Sequence, residues 1–380
     1  MTNKRVTYGD ARWILGLSSI VFWIGVCVLG IIFDAGVIFE NCAHEVGVIF
    51  GTFWGCYILL GFPLDFIGGY LLPRKYSRSS STFLNWFSKW CRGSILHGAY
   101  MWLGSMALIR VAEHLGLWGS IAFVGVHMLL MTRFQLFLAQ LIAPLRSLSS
   151  ARLKFDSGAL SRLRIHTVES EDEAFTGGVT GHPGRERIIL PAHWKDQVPG
   201  EIMGALKVRR LATVLSGSRT RGLLAALIWN LVWFAIAVGL TPYSLNSVSG
   251  ILTTAFWFSL FCCLGHIGLL PFLSRKGSVE VDGWTHTKGA CEFKMQKGIS
   301  YTNKLQGDRP CRSLWIEKIF SGTPSVEIRL QHLFSGKYSK GAWNASYMML
   351  FLSWAGLGLV SRAAPCNLGR PELWVLLPCD

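Results

Sequence analysis

The sequence predicts a mainly α-helical, polytopic membrane protein of six or seven transmembrane helices, with a small cytoplasmic α+β portion that a transmembrane hairpin splits in two. Three observations predict it. Of the 380 residues 51% are hydrophobic and only 16% charged, too apolar a balance for a soluble chain of this length. The apolar residues gather into uncharged runs about long enough to cross a bilayer. Basic residues sit in blocks beside those runs, so the net charge of +15 reads as cytoplasmic loops facing anionic lipid and not as a nucleic-acid surface.

Residues 1–145 are expected to form four spans. Lys4, Arg5 and Arg12 precede the first run, Trp13 to Phe33, which is long for a signal peptide and is soon followed by another run. The next loop carries Asp34, Glu40 and Glu45 and no Lys or Arg. The loop after the second run, Val46 to Leu72, holds Arg74, Lys75, Arg78, Lys89 and Arg92. The positive-inside rule therefore sets the N-terminus in the cytoplasm, and the inner membrane of a bacterium is the expected location. Ser94 to Ile109 and Leu115 to Thr132, the latter continuing past Arg133 to Leu145, make a hairpin about a turn with Glu113 and His114.

Residues 146–221 turn polar, with Arg152, Lys154, Arg162, Arg164 and an acidic cluster of Glu169, Glu171, Asp172 and Glu173. Residues 222–273 form a second hairpin, Leu223 to Tyr243 and Ser249 to Leu273, joined by an uncharged loop with Pro242. Arg219 and Arg221 before it, and Arg275 and Lys276 after it, keep both ends cytoplasmic. Residues 274–342 are a second polar segment. In residues 343–380 the run Tyr347 to Val360 is a candidate seventh span, which would leave the tail outside the cytoplasm, where Cys366 and Cys379 could pair. Cys27, Cys56, Cys262 and Cys263 lie in apolar runs and read as small buried side chains.

Within the polar part, Asp172 to Gly178 is followed by Arg187-Ile-Ile-Leu-Pro, His193-Trp194, and then Pro199 to Leu206 leading into an amphipathic stretch. In this order the chain resembles the HtpX and CAAX prenyl protease family of integral-membrane zinc metallopeptidases. Ala174, Phe175 and Gly177 match that family's substrate-binding strand, and Ile188 to Leu190 match the strand beside it. A gluzincin-like peptidase domain is the fold this resemblance implies, with a peptide-binding edge at Ala174, Phe175, Thr176, Gly177 and Gly178. The turn from Gly177 to Gly184 lacks the Lys and Ser or Thr of a phosphate loop.

Aligned from Glu201, the family's His-Glu-x-x-His falls on Val208, Arg209, Arg210, Leu211 and Ala212. That motif works because residues four apart share a helix face, so two imidazoles meet on zinc while the Glu activates its water. Val208 and Ala212 offer no lone pair and Arg209 is a permanent cation. The third ligand aligns with Ser278, while Asp282 and Arg329 match an acid and an arginine that hold such sites together. Phe320 to Leu330 resembles a further element, with Pro324 and Leu330 kept and Thr323 in place of a His. The resemblance spans roughly residues 165–335 and implies a catalytically inactive pseudopeptidase, without cofactor, that binds a membrane-protein substrate or a partner peptidase at the bilayer.

An active enzyme would need zinc on a non-standard set drawn from His182, His193, His286 and Glu280. Asp282 and His286, i and i+4 with Cys291 nearby, could offer two points but read as solvated helix residues. A membrane scaffold or transporter would rest on Asp65, Arg110 and His266. His97, His127 and His266, inside apolar runs, are read as neutral imidazoles hydrogen-bonded between helices. Asn344-Ala-Ser is a glycosylation sequon. Arg209, Arg210, Arg219 and Arg221 are expected to contact lipid headgroups.

Overall fold

The computed structural model describes residues 6–142, 147–152, 164–169, 174–288, 291–336, 338–364 and 366–376. The helix α1, Tyr8–Ile32, opens on a capping box in which the Thr7 side chain accepts from the Asp10 amide and Asp10 accepts from the Thr7 amide. A short α2, Ala35–Glu40, leads into α3, Val46–Phe66, which continues through a π-helical turn, Ile67–Leu71, into α4, Leu72–Lys75.

The helix α5, Phe83–Arg133, breaks at Gly116, whose φ of 61° and ψ of −156° lie outside the helical region. Its two arms fold back on each other. Tyr100 and His127 are 27 residues apart yet hydrogen-bonded at 2.7 Å, whereas a straight helix would separate them by about 40 Å. The predicted hairpin thus stands, with its turn slightly later than the Glu113–His114 pair. The following stretch is a separate helix, α6, Gln135–Ile142, and Leu145 lies outside the described residues.

The polar part opens with β1, Ser147–Arg152, and β2, Arg164–Val168, then β3, Gly178–Thr180, and β4, Arg187–Pro191. They form one sheet in the order β1-β2-β4-β3, with β2 and β4 parallel and the other pairs antiparallel. A single turn α7, Trp194–Gln197, precedes α8, Gly200–Leu215, which ends at Gly217 in the left-handed region. The second hairpin is α9, Ser218–Leu240, and α10, Val248–His266. The predicted second arm stops at His266, because Gly268 at φ 93° turns the chain before α11, Leu269–Lys288. Then come α12, Glu292–Gln306, α13, Leu314–Phe320, α14, Val326–Ser335, and α15, Ala345–Leu352.

Among the described residues five helices are long and apolar enough to cross a membrane, and one of these is the folded-back α5. Their outward faces expose large apolar side chains such as Val21, Leu59, Ile95 and Leu224. Such continuous apolar surface suits lipid and not water. The chain is an integral membrane protein.

The candidate seventh span is short and buried. Only Ala345–Leu352 is α-helical, about 12 Å of rise, and the segment from Ala342 onward is buried almost without a break against the bundle helices. The apolar run fills the centre of the bundle instead of facing lipid. The tail consequently runs inside, where Cys366 is a free thiol, and Cys379 lies outside the described residues. Cys27, Cys262 and Cys263 are buried as expected, whereas Cys56 faces outward from α3. Asn344, only 8% exposed, is closed off from glycosylation.

Candidate functional site

The site is built by α8, α11 and α14. Buried residues on α8 recur at helical spacing, Ile202, Ala205, Leu206, Arg209, Ala212 and Thr213, which turns one face of the helix inward. On α11 the residues Ser274, Ser278, Val281, Asp282 and Thr285 are buried on one stripe. The helix α14 starts just after Pro324, with Ser325 as N-cap, and carries Arg329 one turn in.

These three faces meet on one carboxylate. Arg209 Nε donates to Asp282 Oδ1 at 2.5 Å, and Arg329 donates to Oδ2 through Nε at 2.7 Å and to Oδ1 through Nη2 at 3.0 Å. Arg209 Nη2 also donates to Ser278 Oγ at 3.2 Å. None of the three charged side chains is more than 5% exposed. Burial pushes the Asp282 carboxyl up, but the Arg209 and Arg329 guanidiniums overcome it and hold the group below the usual carboxylate range.

The expected Asp282–Arg329 pair is therefore present, and Arg209 joins it. Val208 is half-buried, and Ala212 is sealed among Val179, Val281 and Trp343. A zinc ion does not fit these residues: two aliphatic side chains, one hydroxyl and two guanidiniums surround the place, and a dication would meet like charge. The non-standard ligands are not brought together either. His182 Nδ1 lies 2.9 Å from the Pro183 carbonyl oxygen in the turn after β3, and His193 and His286 are half-buried elsewhere. Glu280 accepts from Arg221 at 2.6 Å and from the Gly341 amide at 2.8 Å. Among the described residues no three His, Cys, Asp or Glu side chains stand close enough to hold a metal ion, so the Asp282–His286–Cys291 group is not a site.

The lipid-headgroup reading of the basic residues is corrected. Arg209, Arg210 and Arg219 are 1%, 1% and 0% exposed, because α8 and the first turn of α9 are buried and these cations are taken by buried oxygens. Arg210 donates to the Thr176 carbonyl at 2.8 Å and Arg219 to the Gly181 carbonyl at 2.5 Å, while the Gly181 amide donates to Gln135 Oε1 at 3.2 Å. Only Arg221 is partly exposed, and it binds Glu280 and the Gly341 carbonyl.

These same contacts alter the expected peptide edge. The outermost strand is Gly178–Thr180, and Ala174 to Gly177 lead into it without pairing as strand. Phe175 to Thr180 are buried, and the two guanidiniums hold the carbonyls of Thr176 and Gly181 that flank the strand. Gly177, at φ 80°, approaches β4 so closely that a Cβ would sit 2.2 Å from the Ile189 carbonyl oxygen. The acidic residues Glu171, Asp172 and Glu173 lie outside the described residues.

Asp65 and Arg110 are not brought together. Asp65 is buried against Arg362, and Arg110 pairs with Glu113 at the surface. The interhelical hydrogen bond expected of the histidines holds for His127. Neither ring nitrogen of His97, nor Nδ1 of His266, has a partner among the described residues. Sequence reasoning missed the cavity of about 320 Å³ beside Arg329, bounded by Ala174, Phe175, Pro324, His266 and Tyr347. Its lining comes from distant segments, and no local motif marks it.

No family model and no curated protein matches the sequence. The fold is similar to that of Ste24p from S. mikatae, whose crystal structure superposes with a TM-score of 0.65 at 14% identity, covering 86% of this chain and 83% of that one. Ste24p is a CAAX prenyl protease, a membrane zinc metallopeptidase related to HtpX. What the two chains share is the fold.

Proposed function

We propose that this chain is a catalytically inactive, peptidase-like membrane protein that binds a membrane-protein substrate or a partner peptidase without hydrolysing it. One observation carries the reading. The Arg209 guanidinium is bonded to Asp282 and Ser278 where the resemblance requires the catalytic base and the third ligand, so a fixed cation stands in the metal's surroundings. Without a bound metal to polarise a carbonyl and lower the pKa of a water, the fold keeps a binding scaffold and loses the nucleophile. Binding would use strand addition at the outer strand Gly178–Thr180, whose flanking carbonyls, of Thr176 and Gly181, Arg210 and Arg219 fix in place. The peptidase-like part and the N-terminus face the cytoplasm in this proposal, and a bacterial inner membrane is the setting.

Metal analysis tests it. The purified native chain should hold no stoichiometric zinc and cleave no unfolded membrane substrate. A variant carrying Val208→His, Arg209→Glu, Ala212→His and Ser278→Glu should gain one zinc per chain, because α8 and α11 already approach within hydrogen-bonding distance there. One-to-one zinc in the native protein, together with chelator-sensitive proteolysis, would sink the reading.

A further inference from the structure

A recess of about 240 Å³ opens between α11, α13 and α14, apart from the Asp282 centre. Leu269, Phe272, Lys276 and Val279 recur three and four residues apart, so they share a face of α11 opposite the buried stripe of Ser274, Ser278 and Val281. Phe272, Lys276 and Val279 line the recess, and Glu317 and Lys318 line it from α13.

Glu317 points to a ligand. It is 2% exposed; its Oε1 accepts from the Ser325 amide at 2.6 Å, while its Oε2 has no hydrogen-bond partner among the described residues. Arg275 does not supply one, because its guanidinium donates to the carbonyls of Glu317, Lys318 and Ser321. A buried carboxylate oxygen without a donor is costly, and a ligand that brings an N–H relieves that cost. The lysines supply the opposite charge. The Lys276 ammonium lies 4.4 Å from the centroid of the Phe272 ring, and neither Lys276 nor Lys318 forms an ion pair among the described residues.

The recess opens at the membrane surface. The candidate span α10 ends at His266, and the Gly268 amide just beyond it donates to the Ile319 carbonyl of α13 at 2.8 Å. Trp13, early in the candidate span α1, meets Phe320 of α13 edge-on, with ring centroids 6.0 Å apart. The recess therefore lies level with the ends of two spans. Leu264, Leu269 and Phe272 are exposed in succession, which carries the lipid-facing apolar surface of α10 up to its mouth. Trp315 of α13, 78% exposed, suits the aromatic belt at that level.

From this arrangement we infer that the recess binds a bilayer phospholipid whose headgroup carries a primary ammonium. The ammonium donates to Glu317 Oε2, the phosphate accepts from Lys276 and Lys318, and the acyl chains lie along Leu269 and Phe272. A headgroup with a phosphate alone leaves the Glu317 oxygen unmet, and a quaternary ammonium has no N–H to offer it.

The test uses the full-length protein purified in detergent and stripped of lipid. Its thermal midpoint is followed as phosphatidylethanolamine, phosphatidylcholine or phosphatidylglycerol is added in mixed micelles. Phosphatidylethanolamine should raise the midpoint saturably, with an apparent affinity roughly tenfold or more above the other two, the difference that one charge-assisted hydrogen bond makes. Glu317→Gln keeps an oxygen for the Ser325 amide and should erase that preference. Lys318→Glu, at an exposed position, should weaken phosphatidylethanolamine roughly tenfold even if Glu317→Gln folds poorly. An equal response to phosphatidylcholine or phosphatidylglycerol, no saturable response, or an unchanged response in Lys318→Glu overturns the inference. So does a preference that survives in folded Glu317→Gln. Neither zinc nor hydrolysis enters the readout, so the inference and the pseudopeptidase proposal fail independently.

Discussion

Two buried aspartates organise this molecule in different ways. Asp282, in the peptidase-like part, meets two guanidiniums, Arg209 and Arg329. Asp65, inside the helical bundle, meets one, Arg362 at 3.1 Å, and completes its shell with the Trp90 indole at 3.0 Å and the Gly369 amide at 2.8 Å. The first carboxylate is shared by two arginines and the second is met by one. At Asp65 each partner fastens the C-terminal tail or α5 to α3, with Arg362 also stacked on Trp374. At Asp282 the two arginines join α8 and α14 to α11.

The comparison breaks most sharply at the carboxylate that serves two cations. Asp282→Asn keeps the shape and removes the buried carboxylate that Arg209 and Arg329 share. The expected loss is about 3–5 kcal/mol, read by denaturant unfolding in detergent. If the loss is below about 1 kcal/mol, an exposed-pair value, the centre is not the buried network described.

Arg362→Met should cost somewhat less, about 3 kcal/mol, since Asp65 keeps the Trp90 indole and the Gly369 amide as donors. The loss should be accompanied by faster proteolysis of the tail, because Arg362 and Gly369 both hold it to Asp65. An intact tail in Arg362→Met would show that apolar packing of residues 342–376 suffices alone.

How far each centre was legible in the sequence follows from how its partners are spaced. Asp282 and Arg329 are 47 residues apart and lie in segments that keep the order of a family the chain resembles, so they were read as a pair. Arg209 was misread. With Arg210, Arg219 and Arg221 it makes a basic stripe beside apolar runs, and sequence does not distinguish a stripe that faces lipid from one that faces a carboxylate 73 residues away. Asp65 and Arg362 are 297 residues apart, and no local pattern joins them. The tail's apolar run failed for a related reason: hydrophobicity reports that a segment avoids water, and lipid and protein interior satisfy that equally. Length gave the only warning. The spans on either side of Gly116, and the α9–α10 hairpin, were legible because uncharged runs of bilayer length have few other uses.

Trp90→Phe sharpens the Asp65 centre without dismantling it. It keeps the ring that packs on Phe62 at 4.8 Å and removes one hydrogen bond to Asp65. The expected loss is about 1 kcal/mol, well below that of Arg362→Met. A loss equal to that of Arg362→Met would mean that the indole and not the ion pair holds the tail.

Arg209→Met carries the smallest expected effect and decides most about the comparison. It leaves Asp282 with Arg329 alone, as Asp65 has Arg362, exchanging one guanidinium and its bond to Ser278 for an apolar side chain of similar length. Stability at neutral pH should stay within about 1 kcal/mol of the native chain, since burying an ion pair or replacing part of it with apolar volume is often nearly neutral. The acid limb should move. A carboxyl held below its unfolded pKa contributes stability that is present above that pKa and disappears as pH falls through the folded value. Removing Arg209, the larger of the two attractions, raises the folded pKa of Asp282, so acid destabilisation of Arg209→Met should begin at a higher pH than in the native protein. An unfolding curve measured from pH 7 downward checks this. If Arg209→Met instead loses as much as Asp282→Asn at neutral pH, Arg209 is a structural necessity of the fold and not a cation whose role is to close a metal site.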